Sequence, residues 1–293
     1  MSVEARAAQP PVVASAPPPV DTRMASLRAI YIIWYRDILR YWRDRWRLVA
    51  SLAQPLLFLI VFGSGLSSAL SGGTTFGRGL SYIQFMYPGI IGMAILFTAI
   101  FGAMSIVWDR EFGFLKEVLV APIDRSSVAI GKALGGTTQA MIQGLILLVL
   151  APFVGVKLNL LTILEMIPLA AILAFGLSSF GVMLASMMKS LQGFQVVMNF
   201  LMMPMFFLSG ALFPLTGLPG WMTVLTRLDP ASYGIDPLRR VVLSNSGLPS
   251  SVIDRLGLSI GGHVLAIPLE AGIMLAFGAV MLGIAVVMFQ RRD

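Results

Sequence analysis

Side chains able to do chemistry are few in this sequence, and their spacing matches no catalytic pattern. The single histidine, His263, and the complete lack of cysteine leave no ligand set for a transition metal. No HExxH, GxSxG or metal-spaced acidic group occurs, so neither metallohydrolase nor serine-nucleophile chemistry is supported. An intramembrane serine protease would need a histidine beside its serine, and His263 reads instead as a polar residue at a membrane interface. Glu165 and Glu270 fall at the outer ends of apolar stretches, where a carboxylate reaches water. A proton carrier would rather hold an acid deep in the membrane. The one Gly-Lys pair, Gly131-Lys132, is followed by Ala133 and lacks the upstream glycine of a phosphate-binding loop. Any dependence on ATP must therefore come from a partner chain.

The most specific stretch runs from Trp108 to Ser127. It sets Asp109, Arg110, Glu111, Lys116, Glu117, Asp124 and Arg125 around Phe112, Leu115 and Leu119. Those three apolar residues share one helical face, Pro122 stops the helix, and Asp124 or Ser126 can cap the next one. A short helix apolar on one side and charged at its rim suits docking, with the anchor entering a pocket and the charges fixing register. An ordinary solvated loop would share this composition, and the residues by themselves leave both readings open.

The elements that hold this loop are apolar. The chain of 293 residues is 57% hydrophobic and 12% charged, with a mean hydropathy of +0.85. Soluble domains carry about 25% charged residues. A soluble enzyme, a disordered chain and a disulfide scaffold are thereby excluded, and an all-α polytopic membrane protein remains. Residues 1–23 form an Ala/Pro-rich tail without the apolar core of a signal peptide. Residues 24–47 form an amphipathic helix: Arg36, Arg40, Arg43 and Arg47 make one stripe, and Leu27, Ile30, Tyr31, Trp34, Ile38, Tyr41 and Trp42 the opposite one.

Six spans long enough for about 30 Å of hydrocarbon follow in the 48–293 region, near 48–70, 83–107, 128–152, 161–187, 194–213 and 266–289. Pro55 and Gly63 predict a kink in the first. Pro214, Gly217, Pro219, Pro230 and Pro237 break residues 214–265 into pieces too short to cross, which fit short re-entrant or surface helices closing the outer side, Trp221 at the interface. Eight Arg precede residue 48, and Arg110, Lys116, Arg125, Lys132, Lys189, Arg291 and Arg292 lie on the same side of this topology. Only Arg78, Lys157, Arg227, Arg239, Arg240 and Arg255 lie on the other, so both termini are expected in the cytoplasm. The net charge of +7 then reads as basic loops against anionic membrane lipids, with no call for nucleic acid.

Asp109 to Arg125, followed by Gly131-Lys132, resembles the pattern of the type-two ABC exporter permeases, closest to the branch of daunorubicin-resistance and nodulation lipo-oligosaccharide permeases. The resemblance extends through the amphipathic N-terminal helix, the six spans, and the run from Asp229 to Arg239; Asp229 departs from the Asn that often precedes the proline there. It implies a multi-pass subunit of the bacterial plasma membrane that is not itself an enzyme and binds no cofactor or metal. A second permease chain, expected to be another copy of this one, and two ABC ATPase subunits holding ATP and Mg complete the assembly. Residues 109–122 would be the coupling helix, contacting the ATPase through Arg110, Glu111, Phe112, Leu115, Lys116 and Leu119. Residues 24–47, with Arg36, Arg40, Arg43 and Arg47, would be the connecting helix.

In such permeases the substrate path runs at the dimer interface along the second and fifth spans. Those spans here offer Met93, Phe97, Phe101, Asn199, Met203, Phe206 and Phe207. Met and Phe in spans equally serve lipid contact and packing, and Asn199 stands out because an amide in hydrocarbon needs a partner. The implied activity is export of a lipid-like, drug-like or glycolipid amphiphile. A self-contained channel or secondary carrier, the other class of reading, would need intramembrane acids or a polar-lined pore.

Overall fold

The structure is a computed structural model that describes residues 22–70, 82–112, 124–156, 158–245, 249, 252–253, 256–260 and 263–291. The tail at 1–21 and most of the 109–122 loop lie outside them. Helices are α1 (Thr22–Arg43), α2 (Arg45–Leu70), α3 (Tyr82–Gly102), α4 (Met104–Glu111), α5 (Arg125–Leu150), α6 (Leu160–Met187), α7 (Leu191–Leu208), α8 (Gly220–Leu228), α9 (Ser232–Ser244) and α10 (Ile267–Arg291). A two-residue antiparallel pair, β1 (Ser259–Ile260) with β2 (His263–Val264), is the sheet among the described residues.

Among the described residues, five helical stretches are long and apolar enough to cross a membrane: Tyr82–Glu111, Arg125–Val154, Leu160–Met187, Leu191–Leu208 and Ile267–Arg291. A sixth combines Met24–Arg43 with Leu48–Gly63 across a bend of 70°. The all-α, multi-span reading therefore holds, with revised boundaries. The sharp turn falls at Asp44, between α1 and α2, whereas α2 continues through Pro55. The amphipathic helix accordingly ends at Arg43, and Arg47 belongs to α2. The fifth span stops at Leu208, short of 213, because Gly210 takes a positive φ of 74° that a helix cannot continue.

Almost every residue of α3 from Phe85 to Ile100 is buried, so this helix is the centre of the bundle, with α2, α5, α6 and α9 around it. Close approach explains its glycine pair: a Cβ on Gly89 would overlap the backbone of Ala211, and one on Gly92 the side chain of Ile235. Caps start the later spans. Asn159 accepts from the Thr162 amide at 2.7 Å to open α6, and Ser190 accepts from Gly193 at 3.2 Å to open α7. Asp124 occupies the cap position of α5 without a side-chain cap bond; its carboxylate instead accepts from Ser26 at 3.4 Å.

The Pro/Gly-broken segment divides as its composition suggests. Helix α8 exposes Trp221, Val224 and Leu228, whereas residues 232–243 of α9 are buried among α3, α6 and α10. This burial corrects two sequence-level expectations. Arg239 and Arg240 are not loop cations, and Glu270 is not at a wet helix end. Arg239 donates to the Gly210 carbonyl and lies 4.5 Å from the Phe85 ring centroid. Arg240 bridges Asp236 at 3.0 Å and Glu270 at 2.6 Å, and Asp236 also accepts from the Leu258 amide at 3.0 Å. An ion network thus fastens α9 to α10.

Between α8 and α9, Asp229 accepts from the Ala231 amide at 3.0 Å, and burial pushes its carboxyl up to about 8. Because the folded chain binds this proton more tightly than the unfolded one, the contribution is whole below pH 3.8 and is lost as pH rises through about 8. Asp229→Asn removes that loss. Its melting temperature in detergent is expected to exceed wild type by a margin that widens by about 3 °C or more between pH 6 and 8. A pH-independent margin would contradict the assignment.

Candidate functional site

Buried positions on α1 recur every fourth residue, at Ala29, Ile33, Asp37 and Tyr41. Leu27, Tyr31 and Trp42, expected on one apolar stripe with Tyr41, are exposed. The buried row packs on α5 where Gly131 and Gly135 leave room: an added Cβ would stand 3.0 Å from Ile33 and 3.2 Å from Asp37. Trp34 Nε1 donates to Thr138 Oγ1 at 3.0 Å, and the Tyr41 hydroxyl donates to Gln143 Oε1 at 2.9 Å, fixing the register of the two helices.

Asp37 is an acid in an apolar row, and its charge is met by other elements. Lys132 Nζ of α5 lies 3.2 Å from Asp37, 2.8 Å from Asp109 of α4, and 3.0 Å from Ser105 Oγ. Arg36 lies 2.9 Å from Asp109 and 3.5 Å from Asp37. Two cations and two anions balance within one cluster, and all but Arg36 are buried. In the sequence alone Asp109 and Lys132 read as loop charges, and no motif marks Asp37. The available signal was the position of Asp37, four residues from both Ile33 and Tyr41, which demands a cation from elsewhere.

The last turn of α4 reaches further. Arg110 donates to the carbonyls of Met188 and Ser186, the latter at 3.3 Å, and Glu111 accepts from the Leu191 amide at 2.9 Å. Residues 109–111 therefore complete the helix that continues the second span, instead of opening a separate one, and both charges are spent on the α6–α7 junction. Trp108 and Phe112 pack at 5.3 Å and remain 43% and 67% exposed, with Arg40 5.6 Å above the Trp108 ring. Arg43 is exposed at the end of α1. Leu115, Lys116 and Leu119 lie outside the described residues, as does the side chain of Arg47. One helical turn, Trp108 to Glu111, thus contacts or pairs with α1, α5, α6 and α7.

The expected path residues separate into two sets. Met93, Phe97 and Phe101 line a cavity of about 400 Å³ with Tyr41, Ser51 and Pro55, inside one chain and between α1, α2 and α3. Phe206 is fully buried beside it, its ring 6.4 Å from Phe97 and 5.7 Å from Phe58. Asn199, Met203 and Phe207 instead share an exposed stripe of α7 with Val196 and Phe200. Asn199 makes no side-chain hydrogen bond within the described residues.

Residues 28–243 match the profile of the ABC-2 type transporter family. The chain belongs to that family. The matched region begins on α1, includes the four-residue ion cluster and ends on α9, so both charge networks except Glu270 fall inside it. Permeases of the ABC-2 family work with an ATPase subunit. Among similar proteins, ycf38 of Cyanophora paradoxa is 29% identical over 236 residues, 78% of this chain and 79% of its own. Nodulation protein J of Rhizobium meliloti (strain 1021) is 26% identical over 239 residues, covering 78% and 84%. The inner membrane transport permease YadH of Escherichia coli (strain K12) is 26% identical over 227 residues, covering 75% and 85%. An ABC-2 permease, with several apolar helices and a multi-pass place in the membrane, is the function these findings support.

Proposed function

We propose that this chain is the membrane subunit of an exporter that moves an amphiphile out of the cytoplasm or the inner leaflet, driven by ATP hydrolysis on a separate ATPase. The assembly contains two copies of this chain and two ATPase subunits that hold ATP and Mg. The Trp108–Ser127 loop and both termini face the cytoplasm, in a bacterial plasma membrane. Residues 109–122 receive the ATPase, α1 leans on it through Arg36, Arg40 and Arg43, and residues 214–265 close the outer side.

One observation carries this reading: the helical turn at the root of the loop is tied to α1 and α5 by the buried ion cluster, and to α6–α7 by Arg110 and Glu111. A displacement of the loop by the closing ATPases is therefore delivered to four elements at once. That is a two-state element biased by nucleotide on another chain. The exposed α7 stripe faces the second copy, and the amphiphile passes along it.

Asn199 is the polar point on that stripe. Asn199→Leu is expected to change the rate or range of ATP-dependent uptake of amphiphilic dyes into inside-out vesicles by about fivefold or more, at unchanged protein yield. A change in yield alone would make Asn199 a packing residue and remove it from the path.

A further inference from the structure

The apolar cavity does not end in apolar walls. Tyr41 and Met104, which line it, also line a second cavity of about 180 Å³ on the side of the ion cluster. The first presents Ala50, Pro55, Met93, Phe97 and Phe101; the second presents Asp37, Arg40, Asp44, Ser105 and Gln139. The two cavities adjoin at Tyr41 and Met104, one apolar and one polar, and the larger is within the range of about 300–1,000 Å³ common for small-molecule sites. From Met93 to Met104 the α3–α4 rod rises about 16 Å at 1.5 Å per residue. Half of a hydrocarbon core of about 30 Å is the same length, so the apolar part is one leaflet deep.

The polar end carries a specific demand. Gln139 is 94% buried; its Nε2 donates to the Asp37 carbonyl at 3.2 Å, while its Oε1 meets no donor. A buried amide oxygen without a donor is costly to leave unpaired, so a ligand N–H or O–H is favoured there. Arg40, held over Trp108, meets no carboxylate among the described residues and is open to an anionic oxygen. The walls and their partners, Arg36, Arg40 and Lys132 against Asp37, Asp44 and Asp109, sum to no net charge. A head group with both charges and no net charge fits them better than an anionic one.

We propose that this pair of cavities binds one inner-leaflet phospholipid with a primary-amine zwitterionic head, phosphatidylethanolamine, its chain against Phe97 and Met93, its phosphate at Arg40 and its ammonium at Gln139 Oε1. The site lies within a single chain and is distinct from the α7 stripe. The assignment of leaflet rests on the proposed cytoplasmic orientation of the loop; the head-group chemistry does not. Phosphatidylcholine has no N–H for Gln139, and phosphatidylglycerol brings a net negative charge.

Native mass spectrometry of the full chain in mild detergent, titrated separately with these three lipids at matched acyl chains, tests it. Phosphatidylethanolamine is expected to bind one per chain, about tenfold tighter than either of the others. Ala50→Trp and Gln54→Trp, one turn apart on α2, each fill the apolar part and should weaken that binding about tenfold; two plugs are used so that a folding defect in one leaves the other informative. Gln139→Leu should remove the preference over phosphatidylcholine. Equal binding of all three lipids, or undiminished phosphatidylethanolamine binding in a folded plug variant, overturns the proposal. ATPase recruitment is not read in this experiment, so exporter function and lipid site can each fail while the other stands.

Discussion

Lys132→Met is expected to lower the stability of the detergent-purified chain by about 3–5 kcal/mol, the cost of leaving buried charge without its partner. Lys132 is 96% buried and, among the described residues, is the one side chain that touches Asp37 on α1, Asp109 on α4 and Ser105 together. Without it Arg36, itself 36% exposed, must balance two carboxylates. Such a loss would appear as a melting temperature lower by more than about 6 °C and a fall in folded yield. Asp37→Asn combined with Lys132→Met leaves the Arg36–Asp109 pair neutral and should recover at least half of the loss. A melting temperature unchanged in Lys132→Met would mean that the cluster does not hold α1 to the bundle.

Leu115→Asp is expected to abolish ATP-driven export while leaving membrane insertion intact. Phe112, Leu115 and Leu119 share one face of the proposed coupling helix, and a carboxylate at its centre must be desolvated to dock. Truncating a central anchor costs about 2 kcal/mol or more, and burying a charge costs further, so recruitment should fall at least about 30-fold. Lys116→Ala, at the rim, should alter the salt dependence of docking far more than its strength. Export at the wild-type rate in Leu115→Asp would remove residues 109–122 from the coupling role.

Which parts of this molecule were legible in sequence follows from how each is stabilised. Helices that meet hydrocarbon announce themselves by composition, and the five long spans were found within a few residues. Their ends were harder: the bend at Asp44 and the stop at Gly210 depend on tertiary packing and a left-handed glycine, neither of which hydropathy reports. Charges were the main source of error. Counting Arg239, Arg240 and Glu270 by exposure assumed that a polar residue between spans meets water, whereas α9 is buried and its ions neutralise one another. Asp37 and Lys132 are 95 residues apart, and a buried pair at that separation leaves no local pattern. In sequence the path residues share only their type and their two spans, and only the folded chain separates Met93, Phe97 and Phe101 in a cavity from Asn199, Met203 and Phe207 on a surface.

We propose that an ATPase seated on the loop after α4 drives this ABC-2 permease. Recovery of tagged protein from its native membranes in gentle detergent tests that most directly, with Leu115→Asp purified alongside. An ATP-binding cassette protein that accompanies wild type and is lost from the variant is the predicted result. Intact permease dimers that carry no such ATPase would contradict the account and favour a self-contained carrier.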